Sequence, residues 1–182
     1  ALSVTSEIDA NALAGALFLN IPGLTVTNAV LSGGFFDPEG PGEGGQDVVP
    51  SIVADGPSQS GTFTNATGTY GLPSTGIVFS TGNVTDYNDA PTTDFETSTG
   101  FGMTATPEQN DLLDDITGTS FHYDPVQLDI TFDAGPGVTS ISFFAAFGSE
   151  EWPEFVGQFN DGFGLFLNGV NVAGAQESGA VP

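Results

Sequence analysis

The chain contains no lysine and no arginine, against 23 aspartates and glutamates in 182 residues. His122 and the amino terminus aside, no carboxylate has a cationic group of its own chain to pair with. The acids must be solvated, screened by salt, protonated or neutralised by bound cations. Carboxylate, amide and carbonyl oxygens are also the ligands that hard cations such as Ca²⁺ prefer. A net charge of −23 excludes nucleic acid as a partner, since phosphate binding rests on Lys and Arg. An anionic membrane surface is disfavoured for the same reason.

Such acidity would suit a disordered tail or a salt-adapted protein. Sixteen phenylalanines and a hydrophobic content of 38% argue against the tail, because disordered acidic chains are poor in aromatics. A total lack of Lys and Arg goes beyond what salt adaptation asks. It also removes the cleavage sites of trypsin-like proteases, which suits a long-lived extracellular material. Twenty-six glycines and twelve prolines belong with short strands joined by tight turns. Cysteine is absent, so there is no disulfide framework, thiolate metal site or cysteine nucleophile. There is no apolar run long enough to cross a membrane and no basic-then-apolar leader. A chain beginning at Ala1 fits a mature, processed and secreted product.

The spacing predicts one N-terminal helix over 6–18, capped by Ser6 or Asp9, with Ile8, Ala12, Leu13, Ala16 and Leu17 on one face. Period-two alternation predicts strands over 24–30, 61–65, 76–80 and 126–132. A second short helix is expected over 107–116, capped by Thr106, with Asp111, Asp114 and Asp115 gathered at its unfavourable C-terminal end. Residues 141–147 are almost wholly apolar and read as a central strand buried on both faces. Asn168-Gly169 between apolar runs predicts a hairpin over 163–172. Residues 33–61 read as a loop, with a Gly/Pro-rich insertion at about 33–57. It is expected to be disordered, pinned by a cation at Asp37, Glu39, Glu43 or Asp47, or used in a subunit contact through Phe35 and Phe36. The sum is a single, mainly all-β domain: a jelly-roll-like antiparallel β-sandwich with one short N-terminal helix.

The densest polar cluster is Gly148-Ser-Glu-Glu-Trp-Pro-Glu-Phe155, followed by Phe159-Asn-Asp-Gly-Phe163. Glu150, Glu151, Glu154, Asn160 and Asp161 are the candidate metal ligands. Without basic neighbours their mutual repulsion is costly, and a Ca²⁺ with six to eight oxygen ligands relieves it. The spacing matches no EF-hand loop. The competing reading is a hydrogen-bonded corner in which Glu150 or Glu151 accepts backbone N–H groups and Asn160 and Asp161 set a turn.

Catalysis finds little support. Glu151 and Glu154 lie too close in sequence to flank a sugar from both sides. His122 stands alone, and no Gly-x-Ser-x-Gly elbow accompanies it. No catalytic residue is assigned and no enzyme is expected. Trp152 or Tyr87 could serve as a sugar-stacking platform, although Trp152 fits a core plug better. Asn65-Ala-Thr67 and Asn83-Val-Thr85 fit the N-glycosylation pattern.

Taken in order, several blocks resemble a known family. They are the Asp9-Ala-Asn-Ala-Leu-Ala helix, Leu24-Thr-Val-Thr-Asn-Ala-Val, Gly61-Thr-Phe-Thr-Asn, Gly76-Ile-Val-Phe-Ser-Thr-Gly-Asn-Val and Gln127-Leu-Asp-Ile-Thr-Phe. Last come Phe147-Gly-Ser-Glu-Glu-Trp-Pro-Glu-Phe-Val and Phe159-Asn-Asp-Gly-Phe-Gly-Leu-Phe-Leu. The chain resembles the choice-of-anchor L domain of secreted bacterial and archaeal surface proteins. The resemblance implies an exported protein held at a cell surface or in an extracellular assembly, with no established enzyme activity. Family domains carry ordinary basic residues, which this chain lacks. They also continue with further strands, whereas this chain stops at Pro182; either a C-terminal part is removed or another copy completes the sheet. The resulting expectation is an extracellular structural or adhesion subunit. It self-associates into a filament or surface assembly as a homo-oligomer or polymer, through strand addition, and is stabilised by Ca²⁺. The alternative is a Ca²⁺-dependent carbohydrate-binding module with a glycan partner. Membrane insertion is not expected.

Overall fold

The computed structural model describes residues 2–19, 21–33, 57–87, 100–149, 151, 155 and 157–173. They form a mostly β chain with antiparallel sheets and two α-helices. The chain gathers into two compact units, one of residues 1–103 and 123–146, the other of 104–122 and 147–182.

The first unit begins with strand β1 (Leu2–Ser6), for which no element was expected, and helix α1 (Ala10–Leu17). Asp9 caps α1, its Oδ1 accepting from the Asn11 and Ala12 amides at 2.8 and 3.2 Å; Ser6, the other cap candidate, ends β1 instead. Strand β2 (Leu24–Ser32) pairs with β5 (Gln127–Ala134), while β3 (Ser60–Asn65) lies between β1 and β4 (Thr75–Phe79). A bulge between Val26 and Asn28 shifts the register of β2 against β5, so the two-residue rhythm slips phase midway.

Helix α1 packs against β2 of one sheet and against β3 and β4 of the other. Its Leu13 and Ala14 are wholly buried, and Phe63, Val84 and Phe101 are buried apolar side chains as well. Beyond them the interior is polar: Ser58, Gln59 and Ser60 are as deeply buried. They survive there because each is hydrogen-bonded. Ser58 Oγ donates to the Ser60 carbonyl at 2.6 Å, and Ser60 Oγ to the Glu7 carbonyl at 2.7 Å. Gln59 Nε2 donates to the carbonyls of Asp124 and Thr81 at 2.6 and 3.0 Å. Gly61 is required where β3 pairs with β1, since a Cβ there would sit 2.5 Å from the Thr5 carbonyl oxygen.

In the second unit, helix α2 (Pro107–Thr117) starts on a complete capping box. Thr106 Oγ1 accepts from the Gln109 amide at 3.2 Å, and Gln109 Oε1 accepts from the Thr106 amide at 3.0 Å. Strands β6 (Phe166–Leu167) and β7 (Val170–Asn171) make the hairpin. Asn168 and Gly169 turn it with φ of 50° and 80°, the double left-handed geometry that Asn-Gly favours.

One strand expectation fails. Residues 141–147 form no strand with any described residue, and most of the run is exposed rather than buried on both faces. Apolar β-forming composition records a readiness to pair, but pairing also needs a partner edge. The acids Asp37, Glu39, Glu43 and Asp47, with Phe35 and Phe36, lie outside the described residues.

Candidate functional site

The second unit holds a cleft of about 340 Å³. Phe147, Ser149, Glu151, Phe159, Asn160 and Asp161 line it, with Ile116 and Thr117 from the end of α2. Three of the five candidate ligands, Glu151, Asn160 and Asp161, thus face one cavity. Glu150 and Glu154, with Trp152, lie outside the described residues.

Local chemistry explains how these residues are held. A helix leaves its last carbonyls without intrahelical partners, and Asn160 Nδ2 donates to one of them, the Thr117 oxygen, at 3.1 Å. Gly118 ends α2 in the left-handed conformation with φ of 73°. Ser149 Oγ donates to Asp161 Oδ2 at 2.5 Å and accepts from the Glu151 amide at 3.1 Å. Among the described residues, a hydrogen-bonded corner is built by Ser149 and Asn160; Glu150, one of the two glutamates expected to accept backbone N–H groups there, lies outside them. The corner aligns two carboxylates, a carboxamide and a hydroxyl along a cleft whose apolar walls are Phe147 and Phe159, 59% and 61% exposed. Among the described residues no group of three or more His, Asp or Glu is placed to hold a metal ion. The part of the set described here thus offers two carboxylates plus neutral oxygens.

Sequence reasoning missed Thr117 and Ile116, because they reach the cleft from a helix more than thirty positions away in the chain. Ser149 was legible as part of the cluster, but its bridging role was not.

His122 meets the acidic end of α2. Its backbone amide and Nδ1 both reach Asn110 Oδ1, at 3.1 and 2.8 Å, and its Nε2 lies 2.7 Å from Thr117 Oγ1. Asp114 Oδ1 lies 4.0 Å from Nδ1 and has no hydrogen-bond partner among the described residues. The single imidazole of the chain thus stands at the helix end where three aspartates oppose the macrodipole.

Both asparagines of the glycosylation patterns are held by local hydrogen bonds. Asn65 is only 4% exposed. Its Nδ2 donates to the Thr69 and Leu72 carbonyls, both at 3.1 Å, and its Oδ1 accepts from the Thr69 amide at 2.9 Å. Asn83 caps a short 3-10 turn, and its Nδ2 donates to Thr85 Oγ1 and Asp86 Oδ1 at 2.7 and 2.9 Å. Tyr87, in the first unit, donates its hydroxyl to that of Tyr70 at 3.4 Å.

Antiparallel β-structure with a polar-rimmed cleft and no described helix long and apolar enough to cross a membrane is the architecture of a β-rich module. The sequence matches the Choice-of-anchor L domain family over residues 8–181, and the chain belongs to that family. Membership marks a surface-associated protein. Comparison with curated proteins and with solved structures gave no match.

Proposed function

We propose that the chain is a non-enzymatic structural or adhesion subunit outside the cell. It associates with copies of itself into a filament or surface layer and is stabilised by divalent cations, Ca²⁺ first among them. The observation that carries this reading is the exposed apolar run at 141–146, in which Phe144 is 75% exposed. Exposed apolar surface of this kind favours association. A jelly-roll sandwich is then reached when strands of neighbouring copies complete the sheets. The cation rests on Glu151 and Asp161 sharing a cleft with Asn160 and Ser149, in a chain that supplies no lysine or arginine to offset them. Glu150 and Glu154 are assigned to the same ligand set.

Phe147 and Phe159 beside those oxygens favour one second reading, a Ca²⁺-dependent module that stacks a sugar in the cleft. Negative-stain microscopy of native material separates the two. Filaments or sheets support the structural subunit. Monomers that bind a glycan array in Ca²⁺ and release it in chelator overturn it in favour of the sugar module.

A further inference from the structure

We propose that residues 141–146 are a donor strand that pairs, in a second copy of the chain, with the edge of β4 that no described strand occupies. The inference rests on the self-association reading and names its surface.

The run reads Ile-Ser-Phe-Phe-Ala-Ala, and no ionisable side chain occurs from 134 to 149. Phe143 is anchored on its own unit, its ring 6.4 Å from Phe18 in an edge-on contact. Phe18 in turn lies 5.3 Å from Phe132 of β5. Phe144, the next residue, points outward. One side chain of the run is therefore seated while its neighbour is left for another surface. Six residues in strand geometry span about 20 Å, an ordinary strand length.

Charge selects the occupant. A cationic partner would be drawn to the acids, and this run has none. An approaching copy, by contrast, is repelled wherever two carboxylates meet without a bridging cation, so charge-free surface is where copies join at least cost. The sheet edges of the chain differ in this respect. β1 runs into Glu7 and Asp9, and β5 carries Asp129 and Asp133. β2 is bulged, a device that blunts an edge. β4, Thr75-Gly-Ile-Val-Phe79, lies in an acid-free stretch from 56 to 85 and pairs only with β3 among the described strands. β6 and β7 are also acid-free but only two residues each, so among the longer described strands β4 alone offers a regular edge in acid-free surroundings. Donor and acceptor are different surfaces, so the contact is head-to-tail and propagates into a filament or closes into a ring.

The chain lacks cysteine, which makes the test clean. Single variants Ala145→Cys on the donor and Ile77→Cys or Val78→Cys on β4 are mixed and oxidised, and the disulfide is located by mass spectrometry. A 145–77 or 145–78 bridge is expected, two acceptor positions being used because neighbouring residues face opposite ways. In parallel, Phe144→Asp should raise the concentration needed for assembly at least tenfold, while Phe144→Leu assembles as the parent does. Circular dichroism confirms that both are folded. A parent chain that stays monomeric overturns the self-association reading itself. Assembly that survives in Phe144→Asp, with no bridge to β4, overturns this surface and leaves self-association standing. Slow amide exchange across 141–146 in dilute monomer also overturns it, because the chain would then be covering its own run.

Discussion

Replacing Asp124 by alanine should cost the first unit about 4 kcal/mol, of which about 3 comes from two hydrogen bonds to a charged acceptor, at the lower end of about 1.5–3 kcal/mol each, and the rest from its backbone conformation. Asp124 Oδ1 accepts from the Met103 amide at 2.7 Å, and Oδ2 from the Phe101 amide at 3.0 Å. Its own amide donates to the Met103 carbonyl at 2.9 Å, and its carbonyl accepts from the buried Gln59. One residue thus ties 101–103 to the polar interior. The low end applies because Asp124 is only half-buried, so water can partly replace the lost acceptor. Its φ of 49° adds about 1 kcal/mol against alanine, since aspartate tolerates the left-handed region better. Asparagine keeps that tolerance and one acceptor oxygen, but turns an N–H₂ toward the other amide. Its cost should be smaller, about 2 kcal/mol. Urea unfolding followed by circular dichroism, with amide exchange read at Phe101 and Met103, tests the ranking. An alanine variant within about 0.5 kcal/mol of the parent at unchanged m-value would refute the clamp.

Thr106→Ala removes the capping box of α2 and should cost about 1 kcal/mol, with faster amide exchange confined to the first turn. Melting in Ca²⁺ should exceed melting in chelator, because a ligand bound only to the folded state raises stability; equal midpoints contradict the cation. Asp161→Asn should shrink that difference. Asn65 should stay unmodified when the chain is secreted by a glycosylating host, as intact-mass measurement will show, and Asn65→Ala should destabilise β3 by about 2 kcal/mol through its lost turn bonds.

The absence of Lys and Arg announced a charge problem but not its local solution. Backbone and amide donors take much of the role that cations would fill. Asp9 accepts the first amides of α1, Glu7 Oε1 accepts the Asp9 amide at 2.9 Å, and Asp129 accepts from Gln127 Nε2 at 3.0 Å. Helix caps and the Asn-Gly hairpin were legible because their rules act within a few residues. Asp124 was not, since its partners lie more than twenty positions back. β1 was missed although Leu2-Ser-Val-Thr alternates with period two, because five residues are a short signal beside the helix that follows. The run at 141–147 was misplaced for the complementary reason: its composition fits a buried strand, while its partner edge is a tertiary matter. In the candidate site, the grouping of Glu151, Asn160 and Asp161 was readable, but the contribution of α2 to the cleft was not.

Sedimentation velocity of the unmodified chain, across a concentration series in 0.15 M and in 1 M NaCl, bears most directly on the central claim. Raising the salt shortens the screening length from about 8 Å to about 3 Å, which weakens repulsion between copies and leaves an apolar contact intact. Larger species that grow with both concentration and salt are the predicted result. A monomer under every condition, or assemblies that dissolve as salt is added, would contradict association through charge-free surface.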